Sequence, residues 1–214
     1  MFEALRMGEV GAVFGLEVDI MGDDQLGHEE LLTTRLSLRR PTPAAIDAIY
    51  RIHHDPAACA HNPADLLATR DDAEDRYHRW EQHWHQHGFG YWVIHPREVD
   101  DPRGILGFCG LKLMRLQDRE VLNLFYRLDP AVWGNGIATE AATSVVSWAT
   151  THLQDRPVVA RVRPDNVASA TVAERTGLRR DAHLDTAGED GLDWIFVKNW
   201  TPSRMQSRGP AVNA

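Results

Sequence analysis

The sequence predicts a single α/β (α+β) domain built on one mixed, mostly antiparallel sheet flanked by helices. Three observations carry this. Apolar residues recur every three to four positions in some segments and every second position in others, so helices and strands alternate along the chain. The connections are short, with no internal repeat or linker. The 214 residues, 43% hydrophobic and 25% charged, suffice for one domain with a core and are short for two.

Residues 1–32 mix acids and glycines with one alternating run, Leu16-Glu17-Val18-Asp19-Ile20, read as a strand within an acidic N-terminal extension. From Thr33 the texture changes. Leu36-Ser37-Leu38 alternates as a strand that Pro41 stops. Ile46, Ile49 and Ile52 place a helix over 44–54, with Thr42 and Pro43 as cap and first turn. Residues 55–69 read as a loop. A second helix covers 71–87, its Tyr77, Trp80 and Trp84 forming an apolar stripe, and Gly88 and Gly90 end it. The period then falls to two, giving strands at 91–94, 104–114 and 121–128, with turns at 96–103 and 116–120. A helix at 138–153, a buried strand at 158–162 and a helix at 167–176 closed by Gly177 follow. Strands near 178–183 and at 194–197 complete the order β-α-α-β-β-β-α-β-α-β-β, and residues 201–214 form a polar tail. The expected organisation is therefore an extension over 1–32, a domain over 33–200 and the tail.

Charge and cysteine content narrow the function. Residues 1–32 hold eight acids against one base, Arg6, so seven of the eight net negative charges lie there and the body is close to neutral. Coating a nucleic acid needs clustered Lys and Arg, so no nucleic-acid partner is expected. No stretch reaches the roughly 18 apolar residues of a membrane span, and the acidic start argues against a secretory signal, so no membrane partner is expected either. Cys59 and Cys109, the only two cysteines, suit a reducing cytoplasm and exclude a CxxC zinc site. The acidic extension is expected to pack on the body or on another subunit of a homodimer.

The chemistry concentrates in Asp129-Pro130-Ala131-Val132-Trp133-Gly134-Asn135-Gly136-Ile137-Ala138-Thr139-Glu140-Ala141. A strand ends, a glycine-rich turn follows and a helix begins. Such a turn leaves backbone N–H groups unpaired at the positive end of a helix dipole, which favours a phosphate. Thr139 stands where a dinucleotide-binding fingerprint needs its third glycine, and no Gly-Lys-Ser/Thr follows for a P-loop.

With two further segments, this stretch resembles the GNAT superfamily of N-acetyltransferases, in the branch of the ribosomal-protein alanine/serine N-acetyltransferases. Thr34-Arg35-Leu36-Ser37-Leu38-Arg39 is similar to that branch's opening strand. Tyr126-Arg127-Leu128-Asp129-Pro130 running into Trp133 to Ala141 is similar to its acyl-CoA loop and helix. Arg163-Pro164-Asp165-Asn166-Val167-Ala168-Ser169, ending at Arg175-Thr176-Gly177-Leu178, is similar to its Asn-x-x-Ser helix. The resemblance spans about 33–200. It implies a GNAT-like acyl-CoA N-acyltransferase fold, acetyl-CoA as co-substrate without a metal, and a small-molecule or peptide amine as acceptor. It assigns cofactor contacts to Leu128, Trp133, Gly134, Asn135, Gly136, Ile137, Ala138, Thr139 and Asn166. It also implies a splay between the strands at 121–128 and 158–162 that admits the thioester.

The catalytic candidates are Ser169, Asn123 and Glu120. The resemblance places Ser169 near the CoA sulfur. Asn123 stands where the branch commonly carries a glutamate in its fourth strand, and an amide takes up no proton near neutral pH. Glu120 is the candidate replacement base, although strand alternation sets it on the opposite face unless a bulge intervenes. Ala173 occupies the position of the tyrosine that serves many relatives as general acid. His53, His54 and His61 are expected to border the acceptor cleft, and Cys109 reads as an inert buried thiol. The missing acid and base leave two other readings open: a degenerate acyl-CoA-binding or regulatory module, and an acyltransferase acting on a hydroxyl or hydroxamate.

Overall fold

The computed structural model describes residues 30–98, 104–188 and 191–201. In chain order these form β1 (Glu30–Leu32), β2 (Leu36–Arg39), α1 (Ile46–His53), α2 (Arg70–His87), β3 (Tyr91–Pro96), β4 (Gly107–Leu116), β5 (Arg119–Leu128), α3 (Ile137–His152), β6 (Val158–Val162), α4 (Val167–Arg175), β7 (Arg179–Arg180), β8 (Thr186–Gly188) and β9 (Gly191–Lys198). The strands make one sheet in the order β1-β2-β3-β4-β5-β6-β9-β7, with β8 added to β9. Every pairing is antiparallel except β5 with β6. The mixed, mostly antiparallel sheet read from the sequence is the one observed.

Local chemistry sets the helix ends. Thr69 accepts from the Asp72 amide while the Asp72 carboxylate accepts from the Thr69 amide, a capping box that starts α2, and Gly88 at φ 72° stops it. Asn166 Oδ1 takes the Ser169 amide at 2.9 Å to cap α4, and Gly177 at φ 85° ends it. The expected Thr42 cap is not made by its side chain. Pro43 instead opens a 3₁₀ turn, and the Thr42 carbonyl accepts from the Ala45 amide at 2.9 Å.

Three differences from the sequence reading involve strands. The sheet starts inside the segment read as an extension, because Glu30–Leu32 pairs with β2 and Glu30 accepts hydrogen bonds from Ser37 and Arg39. The strand near 178–183 lasts two residues, because the Asp181 side chain accepts from the His183 amide and turns the chain into a 3₁₀ segment. Thr186–Gly188, not expected as a strand, pairs back on β9. The run at 16–20 lies outside the described residues.

Alternation along the strands builds a core on each face of the sheet. Trp92 and Ile94 of β3, Cys109 and Leu111 of β4, and Leu122, Leu124 and Leu128 of β5 pack with Ala141, Val145 and Trp148 of α3. Trp92 meets the rings of Trp84 and Trp148 edge to face. On the other face Val93 and Phe108 pack with Ile49 and Ile52 of α1 and Ala73, Tyr77 and Trp80 of α2. No helix among the described residues is long and apolar enough to cross a membrane.

The central pairing is the one that opens. Leu122 pairs with Val158 and Asn123 with Val159, and the two strands then part. β5 is held along its whole length by β4, and β6 by β9, so each strand's course through the divergence is set by its antiparallel neighbour.

Gly110 of β4 is where two backbones come closest. A Cβ there would run into the Gly90 carbonyl and lie 2.5 Å from Tyr91 Cα. Gly110→Ala must therefore push β3 away from β4, and an unfolding titration should show a loss of about 3 kcal/mol.

Candidate active site

The gap between β5 and β6 is flanked by two cavities. The first, about 490 Å³, lies on the α3/α4 face. It is lined by Leu128, Val132, Trp133, Gly134, Gly136, Ile137, Ala138 and Thr139 on one side and by Asn166, Ser169 and Val172 on the other. Its distinguishing feature is the start of α3. Gly136, the N-cap, has φ 74° and no side chain with which to cap, and Gly134 has φ 77°, so both positions favour glycine. The N–H groups of residues 134–139 donate to no carbonyl or side chain among the described residues. The Trp133 amide differs, donating to the Pro130 carbonyl at 3.2 Å.

This turn is braced from outside. Glu140 accepts from Thr33 Oγ1 at 2.6 Å, from the Arg35 amide at 2.9 Å and from Arg35 Nε at 2.7 Å. Arg35 also donates to the Asn135 carbonyl at 3.0 Å, while Asn135 Nδ2 donates to the carbonyls of Val132 and Trp133. Burial alone would raise the Glu140 carboxyl, but these hydrogen bonds outweigh it and hold it below its ordinary value.

The second cavity, about 500 Å³, lies on the α1/α2 face. Its floor is the sheet face carrying Lys112, Asn123, Phe125, Arg161, Arg163 and Asp193. Its roof is Arg76, Arg79 and His83 of α2 with Asn62 and Asp65. Asn62, Leu124, Phe125, Arg161 and Arg163 line both cavities, so the two meet at the gap. Asn123 Oδ1 is buried and has no hydrogen-bond partner. Each carboxylate is shared by two arginines. Asp65 faces Arg127 at 2.9 Å and Arg76 at 3.6 Å, and Asp193 faces Arg161 at 2.5 Å and Arg163 at 3.2 Å.

The sequence of residues 35–179 matches the family model described as Acetyltransferase (GNAT) domain. The chain belongs to the GNAT acetyltransferase family. It is 26% identical over 123 residues to the uncharacterized protein YkkB of Bacillus subtilis, covering 55% of this chain and 70% of that one. The fold is shared with the acetyltransferase from Agrobacterium tumefaciens str. C58, at TM-score 0.67 and 23% identity over 90% of this chain and all of that one. It is shared also with the ribosomal L7/L12 alpha-N-protein acetyltransferase RimL in complex with coenzyme A, at TM-score 0.63 and 16% identity over 78% of this chain and 96% of that one.

Within this GNAT scaffold the expected site residues separate. Leu128, Trp133, Gly134, Gly136, Ile137, Ala138, Thr139, Asn166 and Ser169 all line the first cavity, whereas Asn135 shapes the turn without lining it. The Ser169 hydroxyl donates to no group among the described residues, and Asn166, not Ser169, supplies the cap. Asn123 lines the second cavity. Glu120 is a correction. The β4–β5 register runs unbroken from Gly107 opposite Leu128 to Leu116 opposite Arg119, so no bulge turns Glu120 toward Asn123. It pairs instead with Arg156 at 2.8 Å and lines neither cavity.

The histidines are also redistributed. His53 is fully buried against Trp80, Phe108 and Phe125, with Nδ1 donating to the Ile49 carbonyl. Burial, aided by Arg76 and Arg127, drives its pKa down to about 2. His54 turns away to the Leu67 carbonyl. His61 reaches the first cavity and lies 3.4 Å from Asp165. His83 lines the second cavity but is fully engaged: Nδ1 meets the Phe89 carbonyl at 2.8 Å and Nε2 accepts from the Leu113 amide at 3.3 Å. Cys109 is buried, and burial raises its thiol pKa.

Tyr126 was missed by the sequence reading. Its hydroxyl donates to the Ser169 carbonyl at 3.2 Å inside the first cavity, and burial pushes its pKa up to about 12. The available signal was its alternation with Leu124 and Leu128, which puts it on the same face.

Glu140→Gln should lower stability by about 1 kcal/mol at pH 7. Because the folded carboxyl titrates below its ordinary value of 4.5, the difference is complete above that pH and disappears as the pH falls through the depressed folded value. Urea unfolding of both proteins from pH 7 downward measures it.

Proposed function

We propose that the protein transfers an acetyl group from acetyl-CoA to a primary amine by direct attack in a ternary complex. The observation that carries this reading is the meeting of the two cavities in the β5–β6 gap, one opened by an uncapped helix start and the other by a charged cleft. The residues present fit the co-substrate. The free N–H groups of 134–139 match a pyrophosphate, and the apolar slot between Leu128 and Val172 matches a pantetheine arm. Edge groups of β5 supply the strand-like pairing that such an arm uses.

When bound, acetyl-CoA supplies a thioester carbonyl and a thiolate leaving group. The protein's groups act around that bond. The Leu122 amide donates to the Pro157 carbonyl on the β6 side, so by alternation the amides of Leu124 and Tyr126 face the gap, where they stabilise developing negative charge on the carbonyl oxygen. Asn123 Oδ1 accepts a hydrogen bond from the amine and orients it. A C–N bond forms, the C–S bond breaks, and the proton lost by nitrogen leaves to solvent. Ser169 is the hydroxyl donor on the thiol side, and Tyr126 holds the Ser169 backbone through its hydrogen bond to the Ser169 carbonyl.

Neither Asn123 nor doubly engaged His83 can take the amine proton, and Asp65 and Asp193 are held by arginine pairs. The reactive form is therefore amine that is already neutral, and the rate should rise with pH as the acceptor's ammonium group deprotonates. A single-site Ser169→Ala change should lower kcat by about tenfold or more while leaving CoA affinity nearly intact. A silent Ser169→Ala would remove Ser169 from the chemistry.

Gly136→Asp tests the donor site directly. It adds a side chain at a left-handed position and a negative charge where the pyrophosphate belongs, so calorimetry should show CoA affinity lost. Unchanged affinity would overturn the reading. Deleting the acidic residues 1–26 should leave CoA binding unchanged, since this reading places them outside the catalytic unit.

A further inference from the structure

Resting on the acetyltransferase reading, we infer that the acceptor is a small amine that also carries an anionic group, and that Arg79 and Lys112 bind that group. The second cavity presents five cationic side chains, Arg76, Arg79, Lys112, Arg161 and Arg163, against two carboxylates. Those carboxylates, Asp65 and Asp193, are already shared between arginines, and Arg127 adds a sixth cation to the Asp65 cluster. Arg79 and Lys112 make no ion pair among the described residues. The crowding of positive charge registers at Arg76, whose pKa is lowered first by burial and further by Arg127 and Arg79.

Placement fixes the chemistry. Lys112 stands directly opposite Asn123 in the β4–β5 register, and by alternation both side chains rise from the same face of the sheet. Arg76, Arg79 and His83 fall on one stripe of α2 above them. An acceptor whose amine meets Asn123 at the gap therefore extends beneath Arg79 and beside Lys112. A carboxylate or phosphate there gains charge-assisted hydrogen bonds. A polyamine would meet like charge and have no unshared carboxylate to bind. A cavity of about 500 Å³ suits a small molecule.

The test uses the full chain, acetyl-CoA and thiol release. The acceptor panel contains an amino acid, the amino alcohol of the same skeleton, an aminoalkyl phosphate, a linear polyamine and a short peptide with a free N-terminus, an amidated C-terminus and no acidic side chain. At least tenfold higher kcat/KM for the amino acid or the aminoalkyl phosphate over the amino alcohol and the polyamine supports the inference, and the better of the two identifies the anion. Arg79→Gln and Lys112→Gln should each raise KM for that acceptor at least tenfold and leave KM for acetyl-CoA unchanged. Lys112→Glu should lower the preference for the anionic acceptor further. Both side chains are exposed, so thermal unfolding should confirm that the variants remain folded.

Preference for the polyamine, the peptide or the neutral amine overturns the inference while leaving acetyl transfer intact. Absence of both CoA binding and transfer overturns the acetyltransferase reading itself. CoA binding without transfer to any anionic amine overturns only the acceptor assignment.

Discussion

Everything else in the site depends on a parallel pairing that lasts two residues. Leu122 and Asn123 of β5 meet Val158 and Val159 of β6, and beyond them each strand obeys only its antiparallel neighbour. A longer parallel ladder would have sealed the sheet. A missing one would have divided the domain. The brief contact keeps one continuous sheet while leaving polar backbone edges exposed to a ligand that can satisfy them. The alternation of β5 then divides the labour between its faces: Leu124, Tyr126 and Leu128 face α3 and α4, and Asn123, Phe125 and Arg127 face the other layer.

The loop at 57–65 joins those layers near the opening. Buried Arg127 reaches Cys59 Sγ at 3.0 Å and Asp65 at 2.9 Å, and Arg163 Nε donates to the His61 carbonyl at 3.3 Å. Arg127 lies in β5 and Arg163 directly follows β6, and both hold loop atoms, so the loop's position follows the strands. Burying a guanidinium is costly unless its hydrogen bonds are satisfied, and the loop supplies that satisfaction.

Most elements were legible because period and punctuation agreed. β6 was bounded by a polar turn and Pro164, and α3 by glycines before it. Where the reading departed, the structure shows why. Leu31 and Leu32 gain a strand partner only from β2, and Thr186–Gly188 only from β9, so neither shows in local propensity. The glycine turn was readable because its chemistry is local. The second cavity was not, because its lining comes from β4, β5, β6, β9 and α2, and no spacing rule links Lys112 to Arg79. On α2 the aromatic stripe drew the reading, while Arg76, Arg79 and His83 ran beside it at the same helical period. Glu120 was a candidate by residue type, and an unbroken β4–β5 register removed it.

The bare start of α3 has a thermodynamic corollary. α2 and α4 carry side-chain caps, and α3 carries none, although α3 supplies Ile137, Ala141, Ala142, Val145, Val146, Trp148 and Ala149 to the larger core. The helix that organises that core thus leaves the N–H groups of its first turn without a partner among the described residues. Any anion that settles there binds the folded chain and has no counterpart site in the unfolded one, so occupancy adds directly to folding free energy. On the proposed reading, in which that anion belongs to acetyl-CoA, resistance to unfolding and proteolysis would follow the supply of the acyl donor and couple the lifetime of the protein to it.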